Sequence, residues 1–167
     1  PQWSVIDLAE KVETFPVIAK AISGGYDGRG VWKISNLDML ERVILNNPQL
    51  LIEELIEFDC EIAVMVARSP HGQVSTWAVT HTVQEDGICI RTVTPAQSIS
   101  QIVAEKVASL AIVIAERVGL VGVMAVEFFV RGEEVFINEL AMRPHNSGHW
   151  TIEGAVTSQF EQHLRAI

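Results

Sequence analysis

VGVMAVEFFVRGEEVFINEL, residues 121–140, is the stretch that decides the fold. Two runs rich in Val, Ile and Phe, residues 121–130 and 135–140, flank Gly132, and this pattern predicts a β-hairpin. Upstream, residues 61–68 and 74–82 read as another hairpin, joined by Ser69-Pro70-His71-Gly72. Gln84-Glu85-Asp86-Gly87 marks a turn before a strand at 88–93, and residues 50–56 form one more strand. Residues 98–118 are helical, with Ile102, Lys106, Leu110 and Ile114 along one side and Gly119 as a stop. A last helix spans about residues 158–167. Strands in hairpins with helices between them predict an α+β fold with a mostly antiparallel sheet, not a doubly wound one.

Toward the N-terminus, Ser4 and Asp7 make a capping-box pattern. Val5, Leu8, Ala9 and Val12 then recur at helical spacing, which predicts a helix to about Glu13. Residues 17–19 form a short strand ending at Lys20, and residues 31–34 form another. Asn36 caps a helix that places Leu37, Leu40 and Ile44 on one face. Asn46-Asn47-Pro48 marks a boundary and divides the chain into 1–48 and 49–167.

The chain has 167 residues, 49% hydrophobic and 20% charged, enough for a real core and too apolar for disorder. Twelve basic against 21 acidic residues give a net charge of −9, which argues against a nucleic-acid partner. No apolar stretch reaches membrane-spanning length. Cys60 and Cys89 lack metal spacing and read as reduced thiols of a cytoplasmic protein. The missing initial Met suggests a piece of a longer chain.

Glu127 lies in an apolar run, where a charge is costly without a partner. Glu139 lies on the other arm of the same hairpin. If paired residue numbers add to 266, the two carboxylates face each other; an odd sum puts them on opposite faces. Facing like charges call for a cation, and oxygen ligands suit Mg²⁺, with Asn138 able to add one. Two solvent-facing glutamates are the plainer reading.

Gly24-Gly25-Tyr26-Asp27-Gly28-Arg29-Gly30 packs four of the eleven glycines into seven positions. Such a loop reads equally as a hairpin turn or as a cradle of amides for a phosphate. Because it joins two strands, it fits neither the dinucleotide fingerprint nor the Walker loop. Lys20 just before it could share a polyphosphate. Arg143-Pro144-His145-Asn146-Ser147-Gly148-His149 gathers donors and acceptors directly after Glu139, and Arg143 suits a planar oxyanion. His145 and His149 also have a zinc-type spacing, but Pro144 and Gly148 argue against a helix there, and no third ligand is evident.

Several segments together resemble the 5-(carboxyamino)imidazole ribonucleotide synthases, ATP-grasp ligases of bacterial and fungal purine biosynthesis. They are Lys20 with Gly24 to Gly30, Glu53-Glu54-Leu55-Ile56 followed by Glu61, Asn138-Glu139-Leu140-Ala141 followed by residues 143–150, and Ser158-Gln159-Phe160-Glu161. The resemblance runs from about Pro16 to the end. It implies an ATP-grasp fold that carboxylates 5-aminoimidazole ribonucleotide with bicarbonate and ATP through carboxyphosphate. It also implies a homodimer in the full-length enzyme, and terminal domains absent from these residues.

By that resemblance, Lys20 contacts the ATP phosphates, and Gly25, Tyr26, Asp27, Gly28, Arg29 and Gly30, with Val31 after them, form a covering loop. Tyr26 and Asp27 also approach the ribonucleotide. Glu53, Glu54, Leu55 and Ile56 bind adenine, and Glu61 binds the ribose hydroxyls. Glu127 and Glu139 hold Mg²⁺, with Asn138 at the same phosphate end. Arg143 and His145 serve the bicarbonate and acceptor region. Gln84 stands where many relatives carry a histidine and is a candidate nucleotide contact. An isolated nucleotide-binding module without turnover, and a different ATP-grasp ligase, are the competing readings.

Overall fold

The computed structural model describes residues 1–7, 9–24 and 29–167. They form two compact units, Pro1–Glu57 with Asp86–Ile88, and Phe58–Glu85 with Cys89–Ile167.

The first unit holds strands β1 (Trp3–Ile6), β2 (Val17–Ala21), β3 (Val31–Ile34) and β4 (Leu50–Glu54), and helix α1 (Leu37–Ile44). The strands make one antiparallel sheet in the order β1-β4-β2-β3. Alternation gives the sheet an inner face of Ile6, Val17, Ala19, Ile34, Leu50 and Ile52, covered by Leu40 of α1. Asn36 does cap α1, its side chain accepting from the Met39 amide at 2.9 Å. Leu37, in the first turn, stays 38% exposed. Met39, Val43 and Ile44 flank Leu40 instead.

Among the described residues of 5–13 the expected helix is absent, and Leu8 lies outside the described residues. Trp3–Ile6 is a strand, paired with β4 from Trp3↔Glu53 to Ile6↔Leu50, and only Ala9–Lys11 makes a 3-10 turn. The Asp7 carboxylate is bonded to Lys11 rather than to a helix start, and that bond holds its pKa below the usual value. Apolar spacing alone cannot reveal that β4 offers β1 a ladder of backbone bonds along one edge. β4 ends at Glu54, not Ile56. It is hydrogen-bonded into the first unit, so the division lies after Glu57 rather than between 1–48 and 49–167.

The second unit carries β5 (Cys60–Arg68), β6 (Val74–Thr76), β7 (Thr80–Glu85), β8 (Ile88–Val93), β9 (Gly122–Arg131) and β10 (Glu134–Ala141). Its helices are α2 (Gln101–Arg117), α3 (Thr151–Gly154) and α4 (Gln159–Arg165). The sheet order is β10-β9-β5-β7-β8, with β6 against the end of β5. The strand expected over 74–82 is therefore two: β6 pairs with Val66 to Arg68, and β7 pairs with Glu61 to Ala63. Gln84 and Glu85 belong to β7, and the tight turn is Asp86-Gly87, both at positive φ.

Helix α2 packs on one face of this sheet, against Ile62, Val64, Val66, Met124, Val126, Phe128 and Val130. Its buried stripe is Val103, Val107, Ala111 and Ala115. This is one position on from the side expected at Ile102, Lys106, Leu110 and Ile114, and Ile102 is 64% exposed. Small alanines let the helix axis lie close to the sheet, which outweighs the larger side chains beside them. Among the described residues no helix is long and apolar enough to cross a membrane.

Candidate active site

In the first unit, alternation puts Lys20, Glu53 and Val31 on the sheet face turned away from α1. Lys20 is directly opposite Val31, and Ile18 is opposite Glu53. Lys20 Nζ is 2.7 Å from Glu53 Oε2, with both side chains largely buried. Glu53 thus fixes the lysine along the sheet rather than letting it snorkel. Trp3 pairs with Glu53 at the edge of the same face and is 69% exposed; nothing in its sequence context marked it. Glu54 is exposed at the strand end, and Leu55 and Ile56 follow it with Ile56 buried. Gly24 and Gly30 both adopt positive φ, and the Gly30 carbonyl accepts from the Ala21 amide at 2.7 Å. Arg29 is exposed. Gly25, Tyr26, Asp27 and Gly28 lie outside the described residues.

In the second unit, the face away from α2 carries Glu61, Ala63, Met65 and Ala67 of β5, and Val123, Ala125, Glu127 and Phe129 of β9. Glu127 and Glu139 are paired, as required for facing carboxylates. The hairpin reaches this register only through an irregularity. From Glu134↔Arg131 to Ile137↔Phe128 the residue numbers add to 265; after a β-bulge at Asn138 they add to 266. Without the bulge, Asn138 would oppose Glu127 and Glu139 would turn to the other face. The bulge therefore sets the two carboxylates opposite each other with Asn138 next in chain, and oxygen donors of these types suit a divalent cation. Among the described residues no group of three or more His, Cys, Asp or Glu side chains is gathered for a metal.

Glu61 lies on this same face, opposite Thr82 and Phe129, and Phe129 stacks on Phe58 at 4.4 Å. Burial against these groups raises the Glu61 pKa. Gln84 is two residues beyond Thr82 on β7 and so shares the face. Cys89 has its thiol pKa raised by burial first and then by the charge of Glu127, with a smaller push from Glu61. The carboxylates of Glu127 and Glu61 thus give this face a negative character.

The polar loop closes the other end of the face. His145 is buried, with Nδ1 3.8 Å from Glu127 Oε1 and 2.9 Å from Ser147 Oγ. Arg143 is exposed, its Nη1 donating to the Pro144 carbonyl at 3.1 Å. Residues 146–148 make a 3-10 turn, so His145 and His149 do not share a helix face. His149 is exposed against Phe160, with ring centroids 6.0 Å apart.

A residue with no assigned role holds this loop. Gln159, at the start of α4, is 0% exposed. Its Oε1 accepts from the His145 amide at 2.8 Å, and its Nε2 donates to the His145 carbonyl at 2.8 Å. Its own amide donates to Thr151 Oγ1 at 2.9 Å, and Thr151 Oγ1 donates to the Gly148 carbonyl at 2.6 Å. The sequence signal was a glutamine directly after the capping Ser158, inside a segment already singled out.

Residues 2–160 match the model of the ATP-grasp domain. An N5-carboxyaminoimidazole ribonucleotide synthase of Mycobacterium leprae is 45% identical over 98% of this chain and 40% of its own length. That of Mycobacterium tuberculosis strain H37Rv is 42% identical over the whole chain and 42% of its own length. The chain thus spans about two-fifths of the length of these curated relatives. The solved N5-carboxyaminoimidazole ribonucleotide synthetase of Thermus thermophilus superposes with a TM-score of 0.88 at 35% identity, covering 100% of this chain and 47% of that one. The Aspergillus clavatus synthase, solved with ADP and 5-aminoimidazole ribonucleotide, gives 0.80 at 34% identity, covering 92% and 40%. The match covers nearly the whole chain, and the chain belongs to the ATP-grasp family.

Proposed function

We propose that the protein carboxylates 5-aminoimidazole ribonucleotide with bicarbonate at the expense of ATP, in de novo purine synthesis. The observation that supports this reading most directly is the Glu127–Glu139 pair, set by the Asn138 bulge, with His145 3.8 Å from Glu127. The names of the relatives above supply the acceptor.

In this proposal Lys20, aligned by Glu53, takes the ATP phosphates, and Gly25 to Gly30 with Val31 cover them. Tyr26 and Asp27 reach the ribonucleotide. Glu53 to Ile56 take adenine, Glu61 the ribose hydroxyls, and Gln84 a further nucleotide contact on the Glu61 face. Glu127 and Glu139 hold Mg²⁺, and Asn138 adds an oxygen; the ion supplies neutralisation of the phosphate charge. Arg143 pairs with bicarbonate as a bidentate donor. A bicarbonate oxygen attacks the γ-phosphorus, ADP leaves, and carboxyphosphate forms. The 5-amino nitrogen then takes the carboxyl carbon, and phosphate leaves. His145, buried between Ser147 and Glu127, is placed to hold a proton near that centre. The protein contributes positioning and charge, not a covalent step.

The smaller unit with the glycine loop and the larger unit with the carboxylates correspond in this reading to the two ATP-grasp subdomains. The whole protein is proposed to be a cytoplasmic homodimer. The 167 residues alone bind nucleotide without turnover in this reading, since they span two-fifths of the relatives.

Calorimetric titration of the chain with Mg-ADP, repeated with EDTA, tests the metal site. Binding abolished by EDTA and by Glu139→Gln supports it, and EDTA-insensitive binding removes it. Absence of aminoimidazole ribonucleotide-dependent ADP release by the intact protein overturns the activity.

A further inference from the structure

We infer that Gln159 is a positioning residue for the reaction: its buried side-chain amide pins the His145 backbone and so aims the imidazole at the carboxylate face. The inference rests on the reading of His145 given above. The geometry is that of a strand partner. Oε1 accepts from the His145 N–H and Nε2 donates to the His145 C=O, both at 2.8 Å. Rotating the amide by half a turn would set donor against donor and acceptor against acceptor, so only one orientation fits. The His145 carbonyl also accepts from the Gly148 amide at 3.0 Å, which uses its second lone pair.

The ring of bonds explains the loop's own composition. A Cβ on Gly148 would lie 2.6 Å from Gln159 Oε1 and 2.9 Å from its Cδ. Glycine is present there for room and not for φ, since only glycine lets the amide pass. Thr151 links the Gln159 backbone to the Gly148 carbonyl, closing the ring. Helix α4 has an independent anchor at its other end, where His163 Nδ1 accepts from the Val123 amide at 3.1 Å. Docking of the helix and aiming of His145 can therefore be read separately.

The test is Gln159→Met, similar in length and without the amide, with Leu164→Gln on the exposed face of α4 as the control. Amide hydrogen exchange is followed at His145 and Val123, and steady-state kinetics are measured in the intact protein. The expected result is loss of protection at His145, retained protection at Val123, and a fall in kcat of about tenfold to a hundredfold with KM for ATP unchanged. Loss of protection at both amides, with every kinetic constant degraded, would make Gln159 a structural residue only and overturn the proposal. So would unchanged kcat with His145 deprotected. If the unsubstituted protein shows no acceptor-dependent turnover, the functional reading fails and the aiming role fails with it. The exchange result then still decides whether the amide pins His145.

Discussion

Replacing Gly148 by Ala should destabilise the protein through one identifiable collision. The added Cβ would sit 2.6 Å from Gln159 Oε1, 2.9 Å from its Cδ and 3.1 Å from Met65 Cγ. Met65 is a flexible side chain and can shift by the few tenths of an ångström required. The amide cannot, because it is fully buried and held at both ends. Moving it breaks two hydrogen bonds worth about 1 kcal/mol each, and it strands buried polar groups at about 1 kcal/mol or more. Against this, Gly→Ala outside the left-handed region lowers the freedom of the unfolded chain by about 0.4–1 kcal/mol. The net expectation is a loss of about 2–3 kcal/mol in urea denaturation, with an unchanged m-value.

The same substitution made on top of Gln159→Ala meets only Met65 and should cost no more than about 0.5 kcal/mol. The double-mutant cycle should then report a coupling of about 2 kcal/mol between positions separated by eleven residues. Equal cost of Gly148→Ala in both backgrounds would refute the steric argument and the closed ring with it.

Three further outcomes follow from other parts of the molecule. Burial raises the Glu61 pKa, so the carboxyl favours folding while protonated and costs stability as pH rises through its folded value. Glu61→Gln should therefore stabilise at neutral pH, by under about 1 kcal/mol because the group is half-solvated, and the gain should vanish below the ordinary value of 4.5; denaturation at the two pH values checks the sign. Gly122 has φ +104°, and a Cβ there would lie 2.6 Å from the His163 ring, so Gly122→Ala combines backbone strain with loss of the Val123–His163 bond. It should cost about 2 kcal/mol or more and release protection of the Val123 amide in exchange experiments. Asn36→Ala removes the cap of α1 and should lower stability by about 1 kcal/mol, read by chemical denaturation.

Where local signals and tertiary pairing agree, the fold is legible in the sequence. The 121–140 hairpin, the strand before Lys20 and the caps at Asn36 and Gly119 are of that kind. Residues 3–6 are the opposite case: the spacing of Val5, Leu8, Ala9 and Val12 mimics a helix, and only the presence of β4 alongside makes Trp3–Ile6 a strand. The α2 stripe is a milder one. Its alanines carry little hydrophobic signal, yet they are fully buried in the core against the sheet. A bulge has still less signature. The pairing of Glu127 with Glu139 could be stated as a condition on register, but the inserted Asn138 that meets the condition looks like any other residue in its strand.

The loop after Glu139 shows why site residues are harder to rank than to find. Its segment is specific enough to suggest a family, and that specificity invites assigning chemistry to each letter. In the structure only part of it faces outward: Arg143 and His149 are exposed, while Ser147 and Gly148 are buried and spent on fixing His145. Gln159, eleven positions beyond Gly148, completes that fixation from another helix. A buried glutamine whose every amide atom meets backbone leaves no composition or periodicity trace, because its partners lie fourteen residues away. What the sequence pattern marks as one motif is thus two sets of residues under different constraints. In the proposed function Arg143 and His145 answer to a ligand, whereas Ser147, Gly148, Thr151 and Gln159 answer to packing. Substitutions in the second set should act on stability and on the aim of His145 together, while substitutions of Arg143, an exposed side chain, should leave stability near its starting value and change only what the protein binds or turns over.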